Sequence, residues 1–206
     1  MTGQEMLDFL GIRMDDPAEV DFNQAVKLQV LNDAQLNLAS LVQDSYLTEI
    51  EIVEDDIAPA ATGILTFATL ATAASVSVLN GRIRKVKLKG GVWCKMITVD
   101  DVAAIEKNAY LTATTTTPYA YVFDESIYVL PAAASPVDVY FLHQPVDISD
   151  SVACELAASL HESVLDFAEE SLWLTVGNSA RAKEAGARVR EYIEKINSNP
   201  NPEPVQ

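Results

Sequence analysis

The sequence predicts an α+β protein, a helical bundle built from both chain ends with a central antiparallel β-rich insertion. Apolar residues recur at helical spacing in the first and last parts of the chain, whereas the middle alternates apolar and polar residues between frequent turn signals. We therefore assign residues 1–48 and 146–197 to the bundle. Residues 49–145 form the insertion, with one short helix, and 198–206 form an extended C-terminal tail.

The bundle helices follow from capping signals and apolar spacing. Thr2 and Glu5 form a capping box for a first helix that stops near Gly11, and Asp21 with Gln24 caps a second. The polar face of the second helix should meet water or a polar partner; it comprises Asn32, Asp33, Gln35 and Asn37. A long helix capped by Asp150 or Ser151 ends at Gly177-Asn178, and a last helix covers 180–197.

Turn signals support the prediction of a β-rich insertion. Asn80-Gly81 predicts a type I′ hairpin, and a change in the parity of the basic residues predicts a bulge near Arg84-Lys85. Gly90-Gly91 turns the chain into residues 92–98, and Thr98 with Asp101 caps the short helix. The remaining predicted strands are a hairpin of 119–123 and 127–130 and a further strand over 137–142.

Composition excludes several classes of protein. A chain of 206 residues with 49 % hydrophobic residues and 17 glycines and prolines is neither fibrous nor mostly disordered. Its net charge of −16 opposes binding to phosphate backbones. Cys94 and Cys154 fit reduced core thiols, and the N-terminus lacks the features of a secretory signal, so the protein should stay where it is made.

Catalytic patterns are scarce. His161-Glu162 begins like a zinc-protease helix, but Leu165 stands where the second histidine is needed. His143 is the only other histidine, and the sequence contains no phosphate-binding glycine loop. The acidic groups at 54–56, 100–101 and 169–170 are best interpreted as solvated surface. We therefore expect no catalytic, metal-binding or cofactor-binding residues and no cofactor.

Two segments indicate interaction surfaces. Six of the fourteen basic residues lie in 82–95, which contains no acid, and the rest of the chain has eight basic residues against thirty acids. These six are Arg82, Arg84, Lys85, Lys87, Lys89 and Lys95. They could contact a DNA backbone, but the net charge favours the acidic face of a neighbouring identical copy.

The other segment, Ile57 to Leu79, contains no charged residue and is too apolar for a routine exposed loop. Its alanine, threonine, proline and glycine content argues against a membrane span. We expect it to rest against another chain, with Ile64 and Phe67 in the contact between subunits.

Several stretches resemble the head-to-tail adaptor, or connector, proteins of tailed bacteriophages. The resemblance covers roughly residues 20–50 and 82–197. The residues that carry it are Leu31-Asn-Asp-Ala-Gln-Leu-Asn-Leu38, Val92 through Asp100-Asp-Val-Ala-Ala-Ile-Glu-Lys-Asn-Ala-Tyr110 to Pro118-Tyr-Ala-Tyr-Val-Phe123, Ile127-Tyr-Val-Leu-Pro131, Val137-Asp-Val-Tyr140, Gln144-Pro145 and the helices that start with Glu155-Leu156.

The resemblance implies a non-enzymatic virion ring, commonly of about twelve copies, that joins the portal to the tail. Its partners would be further copies of itself, the portal protein, a downstream tail or nozzle protein and the passing genome, which it would not bind sequence-specifically. The C-terminal extension would contact the portal. The residues concerned are Ser198, Asn199, Pro200, Pro202, Pro204 and Val205.

The sequence leaves two other hypotheses open. One is a DNA-backbone or DNA-end-binding virion module that uses the basic hairpin 82–95. The other is a hydrolase with an irregular site that involves His143 or His161. Salt-dependent DNA binding would support the first, and turnover lost on mutating either histidine would support the second.

Overall fold

The computed structural model describes residues 1–16, 18, 20–108, 110–132 and 135–198. The protein is α+β, and the chain divides into two compact units, Met1–Ile50 with Pro145–Gln206 and Glu51–Gln144. In chain order the elements are α1 (Gly3–Arg13), α2 (Gln24–Leu41), β1 (Glu51–Ile57), β2 (Ile64–Thr66), α3 (Phe67–Ala74), β3 (Val78–Leu88), β4 (Lys95–Met96), α4 (Val99–Lys107), β5 (Tyr119–Phe123), β6 (Ser126–Leu130), β7 (Val137–His143), α5 (His161–Thr175) and α6 (Ser179–Asn197).

The first two helices of the bundle form close to the predicted positions. The capping box of Thr2 and Glu5 is present, and α1 continues two residues past Gly11. The N-cap of α2 is Asn23, whose Oδ1 accepts the N–H of Val26 at 3.1 Å, so the assignment of Asp21 was wrong. The N–H of Asp21 instead donates to the carboxylate of Asp16.

Asp16 organises the loop that precedes α2. Its carboxylate accepts three backbone N–H groups, and Lys27, whose side chain is almost fully buried, donates to its carbonyl at 2.9 Å. Burial alone would raise the pKa of Asp16, but these donors and the nearby ammonium outweigh it and hold the pKa below its ordinary value. The loop residues around Asp21 therefore belong to this network and not to the helix.

The predicted start of the long C-terminal helix was wrong. α5 begins at His161, not after Asp150 or Ser151, and a 3₁₀ turn precedes it. Asn32 of α2 exchanges two hydrogen bonds with the backbone of Ile148, and Gln35 accepts the N–H of Glu155 at 3.1 Å. The polar face of α2 thus satisfies backbone groups that a helix would otherwise have paired. α6 lies close to its predicted range of 180–197.

The β-rich unit consists of two sheets around one core. Their strand orders are β1-β7-β3 and β2-β6-β5-β4, and all pairs are antiparallel except the short pair of β4 with β5. Buried side chains from both sheets form a single cluster, which includes Leu65, Val86, Ile127, Val139 and Phe141. Each sheet therefore has an inner face in the core and an outer face directed away from it.

The hairpin predicted at Asn80-Gly81 was wrong. Both residues have the positive φ that a type I′ turn requires, 46° and 71°. The chain nevertheless continues along β3, because β7 pairs with it on both sides, Val78 with His143 and Ile83 with Phe141. The dipeptide therefore forms an irregularity inside one strand. The bulge predicted at Arg84-Lys85 is confirmed, since Ile83 pairs with Phe141 and Lys85 with Tyr140.

The last three predicted strands are confirmed within one residue, whereas only residues 95–96 of the predicted stretch 92–98 form a strand, β4. Gly90 and Gly91 reverse the chain after β3, so that the following residues run back along this strand and the N–H of Cys94 donates to Val86 O at 2.8 Å. Asp101 accepts hydrogen bonds from Thr98 at the start of α4. The predicted strands over 119–123, 127–130 and 137–142 are β5, β6 and β7.

The uncharged segment contains a helix that the sequence did not indicate, so the described residues of the β-rich unit hold two helices, not one. Thr66 caps α3 by accepting the N–H of Thr69, and Leu70 is buried. Much of the segment therefore packs within its own unit through β2 and α3. Among the residues that the structure describes, no helix is long and apolar enough to cross a membrane.

Candidate interaction surfaces

The outer face of the sheet β1-β7-β3 exposes an aromatic and cationic surface, which we call the tryptophan face. It consists of Val53, Lys85, Lys87, Trp93 and Tyr140. Val53 and Lys85 both pair with Tyr140, and Trp93 bridges to Lys87, so the register places all five side chains on one side. Trp93 is 49 % exposed and its ring lies 5.4 Å from that of Tyr140. Large apolar side chains that are exposed to water next to each other are typical of contact surfaces.

The two lysines of the tryptophan face contact the indole ring. The ammonium of Lys85 lies 5.8 Å, and that of Lys87 5.6 Å, from the ring centroid of Trp93. Cations at this distance are attracted by the electron-rich face of an aromatic ring. The surface therefore combines positive charge with a large apolar group.

Several of the basic residues predicted as a contact are paired within the chain. Arg84 lies 3.8 Å from Glu51, Lys87 3.7 Å from Asp138 and Lys89 2.7 Å from Asp56. Arg82 is half-buried, and Lys95 is exposed on β4 near Asp101. Acids on the other strands of the same sheet thus neutralise part of the positive field, which weakens the case for a DNA-backbone contact.

The outer face of the sheet β2-β6-β5-β4 carries a second surface, which we call the tyrosine face. It consists of Ile64, Tyr121, Phe123 and Tyr128. Tyr121 and Tyr128 are cross-strand partners whose rings stack at 4.7 Å, and Phe123 is 52 % exposed at 6.5 Å from Tyr128. Ile64, a predicted subunit contact, pairs with Tyr128 and so lies on this face.

Acidic side chains border the tyrosine face. Asp124 and Glu125 form the turn between β5 and β6, both with positive φ and both exposed. Burial raises the pKa of Tyr121, and the neighbouring Tyr128 and Glu106 raise it further. Within the described part of the chain, Glu106, Asp124 and Glu125 each have no cationic side chain within 4.0 Å.

Phe67, the other predicted subunit contact from the uncharged segment, occupies a different place. It is half-buried against the core and lines a cleft of about 410 Å³. The other lining residues are Val78, Asn80, Gly81, Val122, Glu125 and Gln144. The structure therefore does not bring Phe67 and Ile64 together on one surface.

The predicted portal contacts lie almost entirely outside the described residues. Asn199, Pro200, Pro202, Pro204 and Val205 are beyond residue 198. Ser198 is the C-cap of α6, and its hydroxyl donates to the carbonyl of Lys195 at 3.0 Å.

The histidines and cysteines occupy buried structural positions. His143 is buried and contacts the carbonyl of Gln144 at 2.7 Å. Burial raises the pKa of the Cys94 and Cys154 thiols to about 11, which keeps them protonated and unreactive at neutral pH. Among the described residues no group of three or more His, Cys, Asp or Glu side chains could hold a metal ion.

His161 links the N-terminus to the segment before α5. The Met1 ammonium can only donate, so Nδ1 of His161 accepts it at 2.9 Å and Nε2–H donates to Leu156 O at 2.8 Å. Burial chiefly lowers the pKa of His161 from 6.5, and the positive N-terminus adds to this, although hydrogen bonds to backbone carbonyls partly oppose it.

The lowered pKa of His161 predicts a loss of stability on acidification. The unfolded chain takes up the proton at its ordinary pKa near 6.5, whereas the folded chain resists it. The stabilisation is therefore complete above that pH and declines as the pH falls below it. We expect urea midpoints to decrease between about pH 7.5 and pH 5, and the decrease to be smaller in His161→Gln. Equal pH dependence in the two proteins would contradict this.

Sequence reasoning missed both aromatic faces as surfaces. The alternation in Tyr119-Ala-Tyr-Val-Phe123 could have indicated the tyrosine face, because it places Tyr121 and Phe123 on one side of a strand.

A scan against protein-family models finds none that matches the chain, and no curated protein matches it.

Proposed function

We propose that this chain is a structural virion protein, one subunit of a ring that joins the portal vertex of a phage capsid to the tail and surrounds the DNA exit channel. The observation that carries the proposal is the pair of aromatic faces on the β-rich unit, on which Trp93 and Phe123 are about half exposed. They differ in composition and lie on the outer sides of two sheets that share one core. A subunit with two different contact faces joins its neighbours head to tail, which closes into rings when the angle allows.

The charge of the chain fits such a channel. A net charge of −16 gives the ring the same sign as DNA, so the genome would pass without adhering. The resemblance to head-to-tail adaptors supports the same location. The portal, through the C-terminal tail, and a downstream tail protein would be the further partners.

The proposal is tested in the particle. Phage that carry a stop codon in this gene should accumulate DNA-filled heads without tails, and tailless heads incubated with the purified chain should become able to bind tails. Micrographs of the wild-type virion should place the chain at the head–tail junction. Mature virions that lack the chain would overturn the proposal, and duplex DNA binding at physiological salt would favour the DNA-binding alternative.

A further inference from the structure

We propose that the tryptophan face of one copy docks on the tyrosine face of the next copy. This inference rests on the proposed function and specifies the contact that builds the ring. It assigns a second copy of this chain as the occupant of both faces.

Charge complementarity identifies the partner. Within the described residues Lys85 has no acid within 4.0 Å, so its contact with Trp93 leaves a positive group at the surface. The tyrosine face is bordered by the unpaired acids Glu106, Asp124 and Glu125. Lys95 pairs with Tyr119 at the β4 edge of the same sheet, but it lies near Asp101, so the border stays net negative. Opposite charges on two aromatic surfaces attract each other and fix the register of the contact.

The same charges disfavour contact between identical faces. Two tryptophan faces would bring together the Lys85 ammonium groups of both copies, since Lys87 is paired with Asp138, and two tyrosine faces would bring together six acids. Like charges in contact oppose association. The favourable arrangement therefore pairs different faces, which leaves one free face at each end for further copies.

The aromatic side chains supply the apolar centre of this contact. Trp93 and Phe123 are each about half exposed, and Val53 is 41 % exposed. Tryptophan and tyrosine dominate the binding energy of interfaces when charged groups surround them and exclude water. Lysine ammonium groups over tyrosine rings would add cation–π attraction.

Charge reversal and mixing test the proposal. The first variant combines Lys85→Glu with Lys87→Glu, and the second combines Glu106→Lys with Glu125→Lys. We expect each alone to associate at least about tenfold more weakly than wild type in sedimentation velocity. Mixing the two should restore assembly, because the reversed faces complement each other and so do the intact faces.

Matched controls separate the contact from net charge. Lys183→Glu with Lys195→Glu, and Glu191→Lys with Glu194→Lys, make the same charge changes at exposed positions of α6. These should assemble like wild type, and circular dichroism should show that all four variants are folded. A face variant that is unfolded is replaced by its single change, Lys85→Glu or Glu106→Lys, in the same mixing test.

Three results would overturn the inference. They are a wild-type chain that stays monomeric at millimolar concentration, folded face variants that assemble like wild type, and a mixture that fails to regain assembly. The virion experiment tests the proposed function separately. If the chain is found at the head–tail junction but the face variants assemble normally, the proposed function is retained and only this contact is rejected. If the chain assembles through these faces but is absent from virions, the contact is retained and the proposed function is lost.

Discussion

Replacement of Phe141 by alanine is expected to lower the free energy of unfolding of the β-rich unit by about 3–5 kcal/mol. Phe141 lies in the central strand of its sheet, is fully buried, and pairs with Ile52 on one side and Ile83 on the other. Truncation removes the apolar transfer energy of the ring and leaves a cavity in a core shared by two sheets. Urea denaturation with hydrogen exchange of peptides from residues 51–144 measures the loss.

The neighbouring residue provides the control. Tyr140 points to the outer face of the same strand, where it is half-buried beside Trp93. Tyr140→Ala should cost only about 1 kcal/mol, because it leaves no closed cavity. Equal losses for the two substitutions would contradict the assignment of inner and outer faces in β7.

Replacement of Asp166 by alanine is expected to lower the free energy of unfolding of the helical unit by about 2–3 kcal/mol. The buried carboxylate accepts Nη1 of Arg13 from α1 at 2.8 Å and Nε of Arg188 from α6 at 2.9 Å. Its removal leaves two guanidinium groups with fewer acceptors, although Glu169 still lies within 3.5 Å of both. Urea denaturation and exchange rates in α1 and α6 measure the effect.

Glu184 is the matched control for Asp166. It also approaches Arg188, at 4.0 Å, but its side chain is 75 % exposed. Glu184→Ala should change stability by less than about 0.5 kcal/mol, since water screens exposed ion pairs. A double-mutant cycle of Asp166→Ala with Arg188→Ala isolates the pair energy, and a coupling near zero would show that Asp166 does not join α6 to the bundle.

Local signals predicted the elements whose determinants are contiguous in sequence. Thr2 with Glu5, and Thr98 with Asp101, place both halves of a cap within four residues, and both helices begin there. The parity change at Arg84-Lys85 located a bulge because alternation records which side of a strand each residue occupies.

The wrong predictions depend on distant partners. Asn80 and Gly81 have the backbone conformation that their residue types favour, but only pairing with β7 decides that the chain continues as one strand. The start of α5 was misplaced because Asn32 and Gln35, more than a hundred positions earlier, hold the backbone before it. Neither pairing can be read from the local residues alone.

The candidate surfaces were predictable only in part. Clustering of basic residues pointed to Lys85 and Lys87, but the acids that pair with Lys87 and Lys89 come from other strands. The tyrosine face requires the register between β5 and β6, which sets Tyr121 beside Tyr128. The period of a strand identifies its two sides, whereas the fold decides which side stays exposed.

The distribution of tryptophan gives the chain two separate optical reporters. Trp93 belongs to the β-rich unit and is half exposed, while Trp173 belongs to the helical unit and lies under the guanidinium of Arg181 at 4.6 Å. Single-tryptophan proteins, made with Trp93→Phe or Trp173→Phe, would therefore emit from one unit at a time. Their emission spectra can follow whether the two units melt together or one after the other.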